Sequence, residues 1–525
     1  VCPPLAAKLS PALGDVWRST QPSGKINTLA LDIPLQAADK TRFQASWSDL
    51  AWKQWKLLPG AEHFSGTLSG SVENGLLTAS MKQAKMPYET VFRAPLEIAD
   101  GQATISWLNN NKGFQLDGRN IDVKAKAVHA RGGFRYLQPA NDEPWLGILA
   151  GISTDDGSQA WRYFPENLMG KDLVDYLSGA IQGGEADNAT LVYGGNPQLF
   201  PYKHNEGQFE VLVPLRNAKF AFQPDWPALT NLDIELDFIN DGLWMKTDGV
   251  NLGGVRASNL TAVIPDYSKE KLLIDADIKG PGKAVGPYFD ETPLKDSLGA
   301  TLQELQLDGD VNARLHLDIP LNGELVTAKG EVTLRNNSLF IKPLDSTLKN
   351  LSGKFSFINS DLQSEPLTAS WFNQPLNVDF STKEGAKAYQ VAVNLNGNWQ
   401  PAKTGVLPEA VNEALSGSVA WDGKVGIDLP YHAGATYNIE LNGDLKNVSS
   451  HLPSPLAKPA GEPLAVNVKV DGNLNSFELT GQAGADNHFN SRWLLGQKLT
   501  LDRAIWAADS KTLPPLPEQS GVELV

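Results

Sequence analysis

One cysteine, Cys2, occurs in 525 residues, so the chain forms no internal disulfide, no thiolate zinc site and no redox pair. Such scarcity suits an oxidising compartment. Basic residues are also short: 45 Lys and Arg face 60 Asp and Glu for a formal charge of −15, and no Lys/Arg block is present to follow a phosphate backbone. Nucleic acid is therefore not an expected partner. No apolar run approaches 18 residues, so no transmembrane helix is expected within this sequence. The chain opens on Val1-Cys2-Pro3-Pro4 without an initiator Met. It reads as a fragment or processed product, with any targeting signal or anchor outside it.

Catalytic signatures are equally scarce. The seven histidines show no metal-ligand spacing, and Asn141-Asp142-Glu143 and Asp155-Asp156-Gly157 lack the later ligands of a calcium loop and read as turns. No nucleophile elbow, phosphate-binding glycine loop or dinucleotide fingerprint occurs, and no two carboxylates stand out as a glycosidase pair. The expectation is a protein that is not an enzyme and needs no cofactor or metal.

What is abundant is punctuation and alternation. Forty-seven Gly and 34 Pro are spread along the chain, the mark of many short strands and turns. In the run from Leu305 to Leu334 the residues Leu305, Leu307, Val311, Ala313, Leu315, Leu317 and Ile319 share one face, and Gln306, Asp308, Asp310, Asn312, Arg314, His316 and Asp318 share the other. After Pro320 and the Asn322-Gly323 turn, Val326, Ala328, Val332 and Leu334 resume the pattern. The same texture returns at Leu29-Leu31-Ile33, Val391-Val393-Leu395, Val425-Ile427-Leu429, Ile439-Leu441 and Val466-Val468-Val470. At roughly 12 to 14 residues per strand and turn, about 40 strands are expected.

Short amphipathic helical patterns precede several of these strands, each followed by glycine. Leu5, Leu9, Leu13, Val16 and Trp17 form the first; Leu173, Leu177, Ala180 and Ile181 the second; Leu294, Leu298 and Leu302 the third; Leu407, Ala410, Val411, Ala414 and Leu415 the fourth. Four related units follow, at residues 1–160, 161–293 (opening with a helix at 168–182), 294–405 and 406–525. The fold expected is mainly β, an antiparallel sheet built from repeats with a few short helices. A string of separate β-sandwich domains, binding carbohydrate or protein at a cell surface, is the competing reading. An outer-membrane barrel is weaker, because no aromatic girdles appear at the strand ends.

The run Tyr163-Phe164-Pro165-Glu166-Asn167-Leu168-Met169, the segment Leu173 to Gly184, Phe200-Pro201-Tyr202, Gly207-Gln208-Phe209 and Asp225-Trp226-Pro227 resemble the central region of the AsmA-like family, in the YhdP-type branch that has TamB relatives. The resemblance covers essentially the whole chain. It implies an elongated, curled, taco-like sheet with a hydrophobic groove, similar to chorein-type bridge proteins. It further implies periplasmic placement, an inner-membrane anchor helix lying outside this sequence, and movement of phospholipid from inner to outer membrane.

On that reading the groove residues are Leu29, Leu31, Ile33, Leu305, Leu307, Val311, Leu315, Leu317, Ile319, Val326, Val332, Leu334, Val391, Val393, Leu395, Val425, Ile427, Leu429, Ile439, Leu441, Val466, Val468 and Val470, in contact with phospholipid acyl chains. Leu173, Leu177 and Ile181 belong to a plug, with gating as the alternative. The two membranes are the expected partners at the ends.

Overall fold

The computed structural model describes residues 11–37, 40–56, 58–342, 345–405, 407–453, 456–496 and 499–525, and the side chains of residues 11–13 and 297 lie outside the description. Cys2, Leu5 and Leu9 therefore fall outside it, as does the Leu13 side chain. The protein is mainly β. Among the described residues 31 strands occur, 29 of them in one hydrogen-bonded sheet, while Leu415–Gly417 and Val448–Ser450 form a separate ladder. The count falls below the 40 expected because strands run long, to 15 residues at Leu96–Asn110, Ile181–Gly195 and Thr327–Ile341. Helices occupy the four places anticipated, Pro11–Thr20, Lys171–Ala180, Lys295–Gly299 continuing into Ala300–Glu304, and Glu409–Ala414, and two short ones not anticipated, Glu166–Met169 and Val285–Phe289, lie just ahead of the second and third.

The chain divides into two compact units, one made of Val1–Val250, Asn259–Asp275 and Asp318–Val326, the other of Asn251–Ser258, Ala276–Leu317 and Thr327–Val525. The first unit holds a ten-strand antiparallel meander beginning at Ser23–Asp32 and ending at Gln208–Phe220. Its eighth and ninth strands, Trp145–Thr154 and Ile181–Gly195, are joined through the helical insertion that contains Lys171–Ala180.

In that helix Leu173, Val174, Leu177 and Ala180 recur at spacings that place them on one face, and the first three are 0 % exposed. Ile181, expected within the helix, is instead the first residue of the next strand; its extended backbone ends the helix, and its side chain is buried. Farther along the same unit, Leu215, Ala218, Leu232, Ile234, Leu236, Leu243 and Met245 are also buried.

The second unit carries the meander Gln374–Glu384, Ala388–Trp399, Val419–Pro430, Thr436–Asp444, Ala465–Asn473, Ser476–Ala483 and Asn487–Leu494, in register without a shift from first to last. A buried cluster including Val311, Leu334, Leu348, Leu367, Leu376 and Val378 packs beside it. The final strand pair departs from the antiparallel expectation, since Gly521–Leu524 lies parallel to Thr500–Ala507.

Two devices interrupt the alternation seen in sequence. The run from Leu305 splits at Gly309, whose φ of +91° separates Leu305–Asp308 from Asp310–Pro320. The Asn337 amide, fully buried, donates to the carbonyls of Asp308 and Asp310 at 3.1 Å each and fills the space a side chain at 309 would need. Elsewhere left-handed asparagines mark register shifts: Asn120, Asn217 and Asn336 sit where the pairing slips between Gly118 and Ile121, Leu215 and Ala218, and Leu334 and Asn337. Asparagine tolerates this conformation, and one extra residue reverses the parity of the strand.

Candidate functional site

The apolar residues of successive strands line up in rows because antiparallel partners project to the same side of the sheet. In the second unit one row runs Phe380, Val393, Val425, Ile439, Val470, Leu479, each residue directly opposite the next. A neighbouring row runs Val378, Leu395, Gly423, Leu441, Val468, Gly481, Phe489, Trp506. A third runs Val391, Ile427, Tyr437, Gly472, Phe477, Trp493. None of the three contains a charge.

The residues between them project oppositely. Asp379, Asn394, Lys424, Glu440, Lys469 and Thr480 form a polar row, in which Asn394 Nδ2 donates to Asp379 Oδ1 at 2.7 Å and Lys469 lies 3.7 Å from Glu440. One face of this stretch is greasy and the other wet, as the alternation of its sequence implies.

Exposure distinguishes this face from a sealed core. Val393, Val425, Ile427, Leu429, Ile439, Leu441, Val466, Val468 and Val470 remain partly exposed. So do Leu305, Leu307, Leu315, Leu317, Val326 and Val332, while Val311, Ile319, Leu334, Val391 and Leu395 are buried. Leu29 and Leu31, on an edge strand exposed at every position, stand 61 % and 57 % exposed, and Ile33 just beyond that strand is exposed as well.

The first unit has a comparable row that the sequence did not disclose: Leu29, Ala45, Leu68, Leu77, Ile105, Gly118, Phe134, Ile148, Tyr193, Phe209. Leu29 is exposed, Gly118 is buried, and the rest are partly exposed. Parity changes hide this row, for the left-handed residues Asp49, His63, Gln83 and Asn120 each lie inside its strands. The signal available was the pairing of glycines with aromatic residues across neighbouring strands.

On the opposite side, the carboxylate of Asp117 is nearly buried beneath Arg135, which donates from Nε at 2.6 Å, and Arg119 approaches it at 3.5 Å. The Arg135 hydrogen bond holds the Asp117 carboxyl below the usual carboxylate range against the opposing effect of burial.

The helix Lys171–Ala180 is secured by both oil and charge. Arg93, on the loop between the strands Asn74–Met86 and Leu96–Asn110, donates to Glu166 and to Asp175, the latter at 2.6 Å, and Lys171 donates to Asp175 at 2.5 Å. Tyr176, whose hydroxyl donates to the Phe222 carbonyl at 3.1 Å, has its pKa pushed up by burial. Leu173 and Leu177 thus belong to a tightly covered segment.

Among the described residues no helix is long and apolar enough to cross a membrane, and no cluster of three His, Cys, Asp or Glu side chains gathers to hold a cation. What the apolar rows present is an extended, uncharged and partly exposed surface. No solved structure matches the chain. Residues 2–525 match the family described as YhdP protein, and the chain belongs to that family.

Proposed function

We propose that this chain is a segment of a bridge-like lipid transfer protein that carries phospholipids across the periplasm, from inner to outer membrane, with acyl chains lying along the uncharged rows. Membership of the YhdP family supports a lipid-transport role in general. The observation that carries the groove reading is the unbroken register of the seven-strand meander from Gln374 to Leu494, with the apolar row from Phe380 to Leu479 aligned and partly exposed throughout.

The energetic reason is simple. Each methylene moved into water costs about 0.8 kcal/mol, so an acyl chain of some fifteen methylenes faces a barrier on the order of 12 kcal/mol in open solution. A floor without charges removes most of that barrier, while a polar headgroup stays at the rim. The role needs no bond-making chemistry, no cofactor and no metal. Inner-membrane attachment through a helix outside this sequence belongs to the same proposal.

Tandem sandwich domains are disfavoured by the sharing of 29 strands in one sheet. The deciding experiment is mass spectrometry of the chain purified without detergent from an envelope fraction. Co-purifying phospholipid is expected; a preparation free of lipid under those conditions overturns the proposal.

A further inference from the structure

On the apolar side, glycines face large side chains that lean across the neighbouring strand and cover them. Gly118 is directly opposite Phe134, and a Cβ there would lie 2.1 Å from a Phe134 ring carbon. Gly481 is opposite Phe489, with 2.0 Å from a built Cβ to the ring, and Gly423 is opposite Leu441, with 2.6 Å to a methyl. Side chains on a strand ordinarily stand roughly perpendicular to the sheet. Here they lie down, because the glycine leaves room for them to do so.

Covering a glycine with an aromatic ring stabilises a sheet on either face. On the opposite face, however, Gly151 and Gly194 have nothing within 4 Å of a built Cβ, although Gly147 there lies under Trp145. In the second unit, glycines at both ends of the second apolar row are covered: Gly423 near its start and Gly481 near its end.

We propose that these paired glycines are specificity-determining residues that set the clearance above the floor, so that a long unbranched acyl chain passes over rings and methyls lying flat. The inference rests on the lipid-carrying function proposed above and names the residues that fix its bore. Neither Gly118 nor Gly481 has a positive φ, and the atoms a Cβ would meet are the ends of side chains rather than backbone. A methyl at either position is therefore accommodated by the ring standing up into the space above the floor.

The test compares wild-type chain, Gly481→Ala, and Gly481→Ala combined with Phe489→Ala, each purified without detergent and assayed for phospholipid per chain. A several-fold loss in the single variant, restored in the double variant, is expected. Equal loading of wild type and Gly481→Ala overturns the inference and leaves the lipid-carrying function intact. Loss that the double variant fails to restore also overturns it, since the ring is then not the obstruction. Wild-type chain that carries no phospholipid removes the function itself, and the inference with it.

Discussion

Arg93 Nη1 donates to Asp175 Oδ1 across 2.6 Å, joining a loop between two strands to the helix Lys171–Ala180. The pair is partly open to solvent, at 27 % and 44 % side-chain exposure, so its contribution falls in the range of exposed ion pairs, about 0.2–1 kcal/mol. Arg93→Ala is expected to leave the fold intact and to raise amide exchange within residues 171–180. Hydrogen exchange read by mass spectrometry checks this, and unchanged protection there shows that the tie does not restrain the helix.

Burial, by contrast, should dominate the hold on that helix. Leu177 is 0 % exposed, so Leu177→Ala is expected to destabilise by about 2–5 kcal/mol through lost transfer energy and the cavity left behind. Leu29→Ala, at a position 61 % exposed, should change stability by less than about 0.5 kcal/mol. Urea denaturation of the two variants side by side measures the contrast. For a gate the first value is an obstacle: opening must expose Leu173, Val174 and Leu177 together, at roughly 1.5–3 kcal/mol for each large side chain. That cost favours a helix held in place over one that opens unaided.

The Asp117–Arg135 pair gives a pH dependence with a definite sign. The folded-state pKa of Asp117 lies below its unfolded value, chiefly because Arg135 donates to it. Its stabilisation is therefore fully present above the unfolded carboxylate pKa of about 3.9 and disappears as pH falls through the lower folded value. Asp117→Ala should remove that portion of the acid-side slope and lower stability at neutral pH by about 0.2–1 kcal/mol, because Arg119 and Arg135 are open to solvent and water replaces their shared acceptor. Denaturation midpoints between neutral and strongly acidic pH, compared with wild type, test both statements.

A charge on the floor tests transport itself. Val393 is partly exposed between Phe380 and Val425, and Val393→Asp places a carboxylate in the middle of an uncharged row. Acyl chains crossing that point must then desolvate the charge, so lipid transfer between donor and acceptor membranes should fall several-fold. Val393→Ala should change it little. Unaltered transfer by the aspartate variant contradicts passage along this row.

Legibility of the apolar rows followed local regularity. From Ala388 to Asn473 the strands alternate without a bulge, and simple parity placed Val393, Val425, Ile439 and Val470 on one side, where the structure aligns them. From Arg42 to Ala125 parity failed, since left-handed residues within the strands reverse it, and the row through Leu68, Leu77, Ile105 and Phe134 went unseen. The break at Gly309 was hidden for a related reason. The glycine keeps the apolar positions odd-numbered on both sides, while the Asn337 that occupies the break lies 28 positions downstream, as 337 less 309.

By itself the sequence determined that the chain is built of one-faced strands, with helices at four places, because alternation and helical spacing are properties of neighbours along the chain. Only the tertiary structure decided which apolar residues are sealed and which stay open. Val391 and Val393 are adjacent in one alternation, yet one is 4 % exposed and the other remains partly open. Exposure depends on what packs above a face and on how far each strand slides against the next. Those contacts join residues distant in the chain, and no local pattern encodes them.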